Sequence, residues 1–163
     1  MNALLKIKKL NNKYFAMRHG ESEANIQKII VSDPASGIYN YGLTDKGKSQ
    51  VKASAEKSGL DCNTIIYSSD FKRAAETANI MSEHLKTDTI NYAVNLRERF
   101  FGDFEKTDNS NYEKVWTEDK KNPSHNIYNA ESPESVMLLN ALISINLASA
   151  AHFFACACAA SDT

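Results

Sequence analysis

Cysteine is scarce: the 163 residues hold three, Cys62, Cys156 and Cys158. They are too few and too unevenly placed for a disulfide framework. Cys156-Ala157-Cys158 also lacks the two-residue gap and the second pair of a zinc site. A reducing, cytoplasmic setting is therefore expected. An excess of charge is missing too. The formal net charge is -1, which leaves no basic surface for nucleic acid. Any anion site must then be local, a few Arg and His residues gathered in one cleft. Residues 1–10 alternate Leu and Ile with Lys6, Lys8 and Lys9. They lack the apolar core and cleavage site of a signal peptide, and read as a leading strand or a loose arm.

Charge also disappears late in the chain. No Lys or Arg follows Lys121, and residues 135–161 carry no charged side chain unless His152 is protonated. A membrane span needs about 20 mostly apolar residues. Asn140, Asn146, several serines and His152 interrupt this stretch, and no basic flank follows. A buried helix followed by a strand is the preferred reading, so a membrane partner is not expected.

What is present fits an ordinary globular protein. At 163 residues, 42% of them hydrophobic, one domain is expected over 1–163, with 137–163 atypical or truncated. Tyr14 to Met17 reads as a buried parallel strand, short and containing an aromatic. It delivers Arg18, His19 and Gly20 together. Gly20 lets the backbone turn sharply. Arg18 and His19 then stand at the carboxyl end of a strand, where open α/β sheets place their ligands. A guanidinium offers a planar fork of donors to two phosphoryl oxygens. A neutral imidazole can attack phosphorus. A strand end with a surface ion pair is the competing account of three such residues.

Ile26 to Tyr41 reads as a long loop, punctuated by Asp33-Pro34 and Ser36-Gly37, with a short helix at its start. It either shapes the site or is a surface excursion. Thr44 is a good N-cap for a helix over 45–58, closed by Gly59, with Val51 and Ala55 toward the sheet. Thr64 to Tyr67 reads as a second strand. A helix follows from about Phe71 to Leu85, capped by Ser69 or Asp70. Arg73 falls in its first turn, where the helix dipole disfavours a cation. A bound anion, or a pair with Glu76, accounts equally for that placement. Asp88 to Tyr92 suits a third strand. Glu98 follows between Arg97 and Arg99 and close to Phe100 and Phe101. Burial would help it hold a proton, and contact with those arginines would oppose it. Asn109 to Lys121 reads as a short polar helix. His125 and His84 read as a loop and a surface histidine, and Ser132-Pro133 opens a further helix.

Arg18-His19-Gly20-Glu21-Ser22 with Asn25 resembles the signature of the histidine phosphatase superfamily, which includes the cofactor-dependent phosphoglycerate mutases. Gly42-Leu43-Thr44 with Gly47 and Gln50 resembles the family's first-helix start. Tyr67-Ser68-Ser69-Asp70 with Arg73, Ala74, Glu76, Thr77 and Ala78 resembles its second strand-to-helix motif. Leu96, Glu98, Gly102 and Glu105 resemble its acid-bearing loop. The four stand in the family's order and cover about Tyr14 to Val136.

The resemblance implies a three-layer α/β/α fold with a mostly parallel sheet. It implies phosphoryl transfer to a small phosphorylated substrate, with no cofactor and no metal. His19 would be the nucleophile, Glu98 the proton donor, and Arg18, Arg73 and Asn25 the substrate ligands. Glu131, in a Glu-Ser pair, would approach the catalytic His. A second His is required, and a strand over 148–152 would end in His152 to supply it. Phe153 stands where the family has Gly, and the usual Arg of the last helix is missing, so His152 as a core or surface residue remains equally open. A phosphatase is preferred to a mutase, because the chain between Glu98 and Glu131 looks too short for the mutases' enclosing insertion. A weakly catalytic phosphate-binding or scaffold protein is the alternative.

Overall fold

The computed structural model describes residues 13–136 and the backbone of 152–157. The expected leading arm and most of the uncharged stretch lie outside these residues. Four strands form one sheet: β1 (Lys13–Arg18), β2 (Ile65–Ser68), β3 (Ile90–Tyr92) and β4 (His152–Ala157). Their order is β1-β4-β2-β3, and every pairing is parallel. Parallel neighbours need crossovers, and helices supply them. The fold is α/β, as expected, and no helix among the described residues is long and apolar enough to cross a membrane.

The first crossover carries α1 (Glu23–Gln27), α2 (Pro34–Gly37) and α3 (Asp45–Lys57). Thr44 caps α3 as its sequence suggests, accepting from the Gly47 amide. Gly59 follows in the left-handed region, at φ 65°. Val51 and Ala55 are buried, one turn apart on the inward face. The second crossover is α4 (Lys72–Leu85), which buries Ala74, Ala78, Met81 and Leu85 along one stripe. These residues join Val51, Ala55, Ile66 and Phe71 in the main core. A smaller core lies around Ile30, Phe101, Val115 and Ala130, with Val115 on α5 (Tyr112–Lys121).

Several expectations change. Strand β1 is parallel but not buried: Tyr14 is 43% and Phe15 37% exposed. Among the described residues it is the outer strand of the order and pairs with β4 alone. The cap of α4 is Phe71, not Ser69 or Asp70. Ser69 Oγ accepts from the Phe71 amide, and Asp70 is drawn away by Arg97. Segment 26–41 is no surface excursion, since Ile30, Val31 and Ser32 are buried. Strand β4 begins at His152 instead of ending there.

The Arg18-His19-Gly20 turn is seated against α3 by two glycines. A Cβ on Gly20 would stand 2.5 Å from the Gly47 carbonyl oxygen, and one on Gly47 would stand 2.0 Å from the Glu21 carbonyl oxygen. Neither obstacle is a flexible side chain. Gly47→Ala is therefore expected to destabilise the protein by about 1–3 kcal/mol in urea unfolding, the usual cost of overpacking. Lys48→Ala, on the exposed face next to it, should stay within about 0.5 kcal/mol.

Candidate active site

The carboxyl ends of β1 and β2 open onto a cleft lined by Arg18, His19, Ser22, Asn25, Val31, Arg73, Glu98, Asn109 and Tyr112. It is partly open to solvent, and its inner space is about 30 Å3, room for about two waters. Strand β1 ends at Arg18, so His19 is the first residue past it. The sharp turn at Gly20 then brings in α1, whose N-cap Ser22 and third residue Asn25 form a capping box. Arg73 enters from the first turn of α4. Glu98 comes from the connection after β3.

His19 is held at both ring nitrogens. Nδ1 lies 2.7 Å from the Gly20 carbonyl oxygen. A carbonyl only accepts, so Nδ1 carries the proton. Arg73 Nε donates to His19 Nε2 at 3.2 Å. A guanidinium only donates, so Nε2 offers its lone pair. The two bonds select the same neutral tautomer. Burial, then the Arg73 charge, lowers the His19 pKa to about 4, so the ring is neutral near pH 7.

Arg73 is 4% exposed, and its Nη2 donates to the Val31 carbonyl at 3.0 Å. Its Nη1 is buried without a partner among the described residues. A buried guanidinium N–H left unpaired is costly, and an anion in the cleft would satisfy it. Glu98 is 8% exposed and stands 3.9 Å from Arg73 Nη2. Burial raises its pKa to about 7, against the pull of Arg73, Arg18 and Arg99. The two neighbouring arginines are otherwise engaged. Arg97 forks onto Asp70, at 2.6 Å from Nε. Arg99 pairs with Asp119 at 2.9 Å. The contest between burial and contact that the residue order left open is therefore decided for burial. Asp119 also accepts from His125 Nε2 at 2.7 Å, while His125 Nδ1 accepts from the Ile127 amide at 3.1 Å, so this loop histidine is a buried hydrogen-bond partner of Asp119. The Arg73–Glu76 pair does not form. Glu76 instead accepts from the Leu43 amide at 2.6 Å.

Five of the six site residues expected from sequence, Arg18, His19, Asn25, Arg73 and Glu98, meet in this cleft. His152 does not arrive with them. In register it faces Lys13, while Ala157 faces Arg18. Five residues of parallel strand put its backbone about 16 Å from the cleft end. Glu131 is also absent from the lining. Its Oε2 accepts from the Phe100 amide at 2.7 Å and so braces the loop that carries Glu98. Sequence reasoning missed Asn109 and Tyr112 as lining residues, since an amide and a phenol in a polar stretch carry no recognisable spacing.

A neutral imidazole, a buried guanidinium with a spare donor and a protonatable carboxyl thus meet at the carboxyl ends of a parallel sheet in an α/β protein. The family model described as the histidine phosphatase superfamily (branch 1) matches residues 14–138. The chain belongs to this family. It is 43% identical over 75 residues to a 2,3-bisphosphoglycerate-dependent phosphoglycerate mutase of Thermoplasma acidophilum, which covers 45% of this chain and 35% of that protein. An α-ribazole phosphatase of Shigella flexneri superposes with a TM-score of 0.64 at 20% identity, over 88% of this chain and 73% of that one. A mycobacterial glucosyl-3-phosphoglycerate phosphatase superposes with a TM-score of 0.69 at 19% identity, over 87% and 72%. These two likenesses show the shared fold. The chain spans between 28% and 49% of the curated relatives it matches.

The clamp on His19 makes a measurable claim. In an NMR titration its ring should protonate only near pH 4. Arg73→Met removes a positive neighbour and should raise that value toward the ordinary 6.5, though not fully, because burial remains the first cause. An unchanged or lower value would show that Arg73 does not govern the ring.

Proposed function

We propose that the protein is a phosphomonoester hydrolase working through a phosphohistidine on His19. The observation that carries this reading is the fixed tautomer of His19, which aims an Nε2 lone pair into a cleft lined by two arginines. Nε2 attacks phosphorus in line with the ester oxygen, forming the P–N bond as the P–O bond breaks. Arg73 releases Nε2 to do this. It then presents its fork to the phosphoryl oxygens, as Arg18 does. The substrate's own charge is what draws the guanidinium across. Glu98, protonated, gives its proton to the departing alkoxide. Water next attacks phosphorus and passes a proton to Glu98. The P–N bond then breaks, releasing inorganic phosphate and restoring both groups. The arginines supply the positive charge, so phosphate release should survive chelators and need no added magnesium.

A second reading keeps the cleft but weakens the chemistry. At the carboxyl end of β4 stands Ala157, paired with Arg18, with His152 at the other end. A protein without a second histidine at the cleft would bind phosphate and turn it over slowly. Phosphoryl transfer of the mutase type is the other activity carried by relatives' names.

Rapid acid-avoiding quench of the protein with a labelled phosphomonoester separates these readings. The hydrolase should show an acid-labile phosphoenzyme and steady phosphate release, both abolished by His19→Ala. Binding without a phosphoenzyme would favour the second reading. Glu98→Gln should lower kcat on an alkyl phosphate by about 10²- to 10⁴-fold, the usual worth of a general acid.

The pH profile follows from the two shifted groups. His19 must be neutral, so kcat/KM rises through about pH 4. Glu98 must be protonated, so kcat/KM falls as pH rises through about 7. A profile still rising above pH 8 would remove Glu98 from the acid role.

A further inference from the structure

The phosphoryl chemistry uses Arg18, His19, Arg73 and Glu98, and leaves part of the cleft unemployed. Ser22 and Asn25 are largely spent on each other, since Asn25 Oδ1 accepts from both the Ser22 amide and its hydroxyl at 2.9 Å. Asn109 and Tyr112 are different. Both line the cleft, and neither side chain has a hydrogen-bond partner among the described residues. Tyr112 is nevertheless fixed in place. Its ring meets Phe101 edge-on at 4.7 Å and stacks on Trp116 at 5.3 Å. Asn109 is anchored by its backbone amide, which donates to the Lys28 carbonyl at 2.8 Å. A rigid phenol and an anchored amide, both with free hydrogen-bonding groups, make a prepared surface.

Two further facts say what this surface is for. The inner part of this partly open cleft offers about 30 Å3, about two waters' worth, so a phosphoryl group placed there leaves the alcohol it is attached to against the Asn109 and Tyr112 wall. The only cations among the described lining residues are Arg18 and Arg73. Both are committed to the phosphoryl oxygens. Among the described lining residues, a second anionic group on the substrate would meet no further cation, only neutral groups and the Glu98 carboxyl. A hydroxyl would find a donor and an acceptor. Burial and the nearby Glu98 hold the Tyr112 hydroxyl well above its ordinary pKa, so it stays a donor across the working pH range.

We propose that Asn109 and Tyr112 form a leaving-group subsite for a neutral, hydroxyl-bearing alcohol, so that the preferred substrates are phosphomonoesters of polyols or sugars and not phosphoesters with a second anionic group. This rests on the reading that the cleft takes the phosphoryl group, and it does not require turnover.

Calorimetric titration of the full chain with inorganic phosphate, glycerol phosphate and phosphoglycerate tests it. Glycerol phosphate should bind more tightly than phosphoglycerate. Tyr112→Phe, which keeps the ring contacts, should weaken glycerol phosphate by about 5- to 10-fold, the worth of one neutral hydrogen bond, and leave inorganic phosphate within about twofold. Asn109→Ala should act in the same direction. Phosphoglycerate binding as tightly as glycerol phosphate would overturn the subsite, and so would variants that change all three ligands alike or none of them. A wild-type protein that binds glycerol phosphate in this pattern yet never hydrolyses it would strike down the hydrolase reading alone. Failure to bind inorganic phosphate would strike down both.

Discussion

The site depends on one pair of hydrogen bonds, those that hold His19 between the Gly20 carbonyl and the Arg73 guanidinium. A carbonyl on one side and a permanent cation on the other leave the ring no choice of tautomer. They also make protonation unfavourable, since a charged imidazole would sit buried beside a charged guanidinium. A nucleophile that stays neutral and oriented needs no base to activate it. On the proposed reading, the guanidinium that depresses the His19 pKa also receives the phosphoryl group, so one residue would prepare the nucleophile and then neutralise charge. The buried Nη1 of Arg73 has no hydrogen-bond partner among the described residues.

Glu98 poses the reverse problem. Near three arginines, a carboxyl group would ordinarily be driven into its charged form. Here burial outweighs them and keeps its pKa near 7. Arg97 and Arg99 pair with Asp70 and Asp119, and Arg73 stands 3.9 Å from the Glu98 carboxyl. His125 adds to Asp119's burden from the other side, and the cluster fixes the base of α5 while it restrains Arg99.

Which parts of this were legible from residue order follows from how local each one is. Arg18, His19 and Gly20 sit at a strand end because a short apolar run precedes them, and the Thr44 cap and Arg73's place in the first turn are equally local. The charge partners of Arg97 and Arg99 were not legible, because Asp70 and Asp119 lie 27 and 20 residues away along the chain. The exposure of β1 was not legible either. A run such as Tyr14 to Met17 reads the same whether one or both sides of the strand are paired. The start of β4 was misplaced for a related reason. Alanine-rich chain carries little periodicity, so the register against β1, and with it the position of His152, was set by pairing.

The remaining constraint is how two distant stretches are brought to one cleft and kept there. Segment 28–33 is laced to 101–109: the Ile30 amide donates to the Thr107 carbonyl at 3.0 Å and the Lys106 amide to the Ile30 carbonyl at 2.8 Å. Glu105 closes the lacing, its Oε2 accepting from the Ser32 amide, the Ser32 hydroxyl and the Asp33 amide. The Ser32 hydroxyl in turn accepts from the Phe101 amide. One end of this network carries the Val31 carbonyl that holds Arg73, and the other carries the loop of Glu98 and the Asn109 and Tyr112 wall. The distance between Arg73 and Glu98 is thereby set by backbone bonds and one partly buried carboxylate, not by contact between the two side chains. That division lets Arg73 and Glu98 stand 3.9 Å apart, too far for a tight ion pair, so Glu98 keeps its raised pKa and Arg73 keeps a donor with no partner among the described residues.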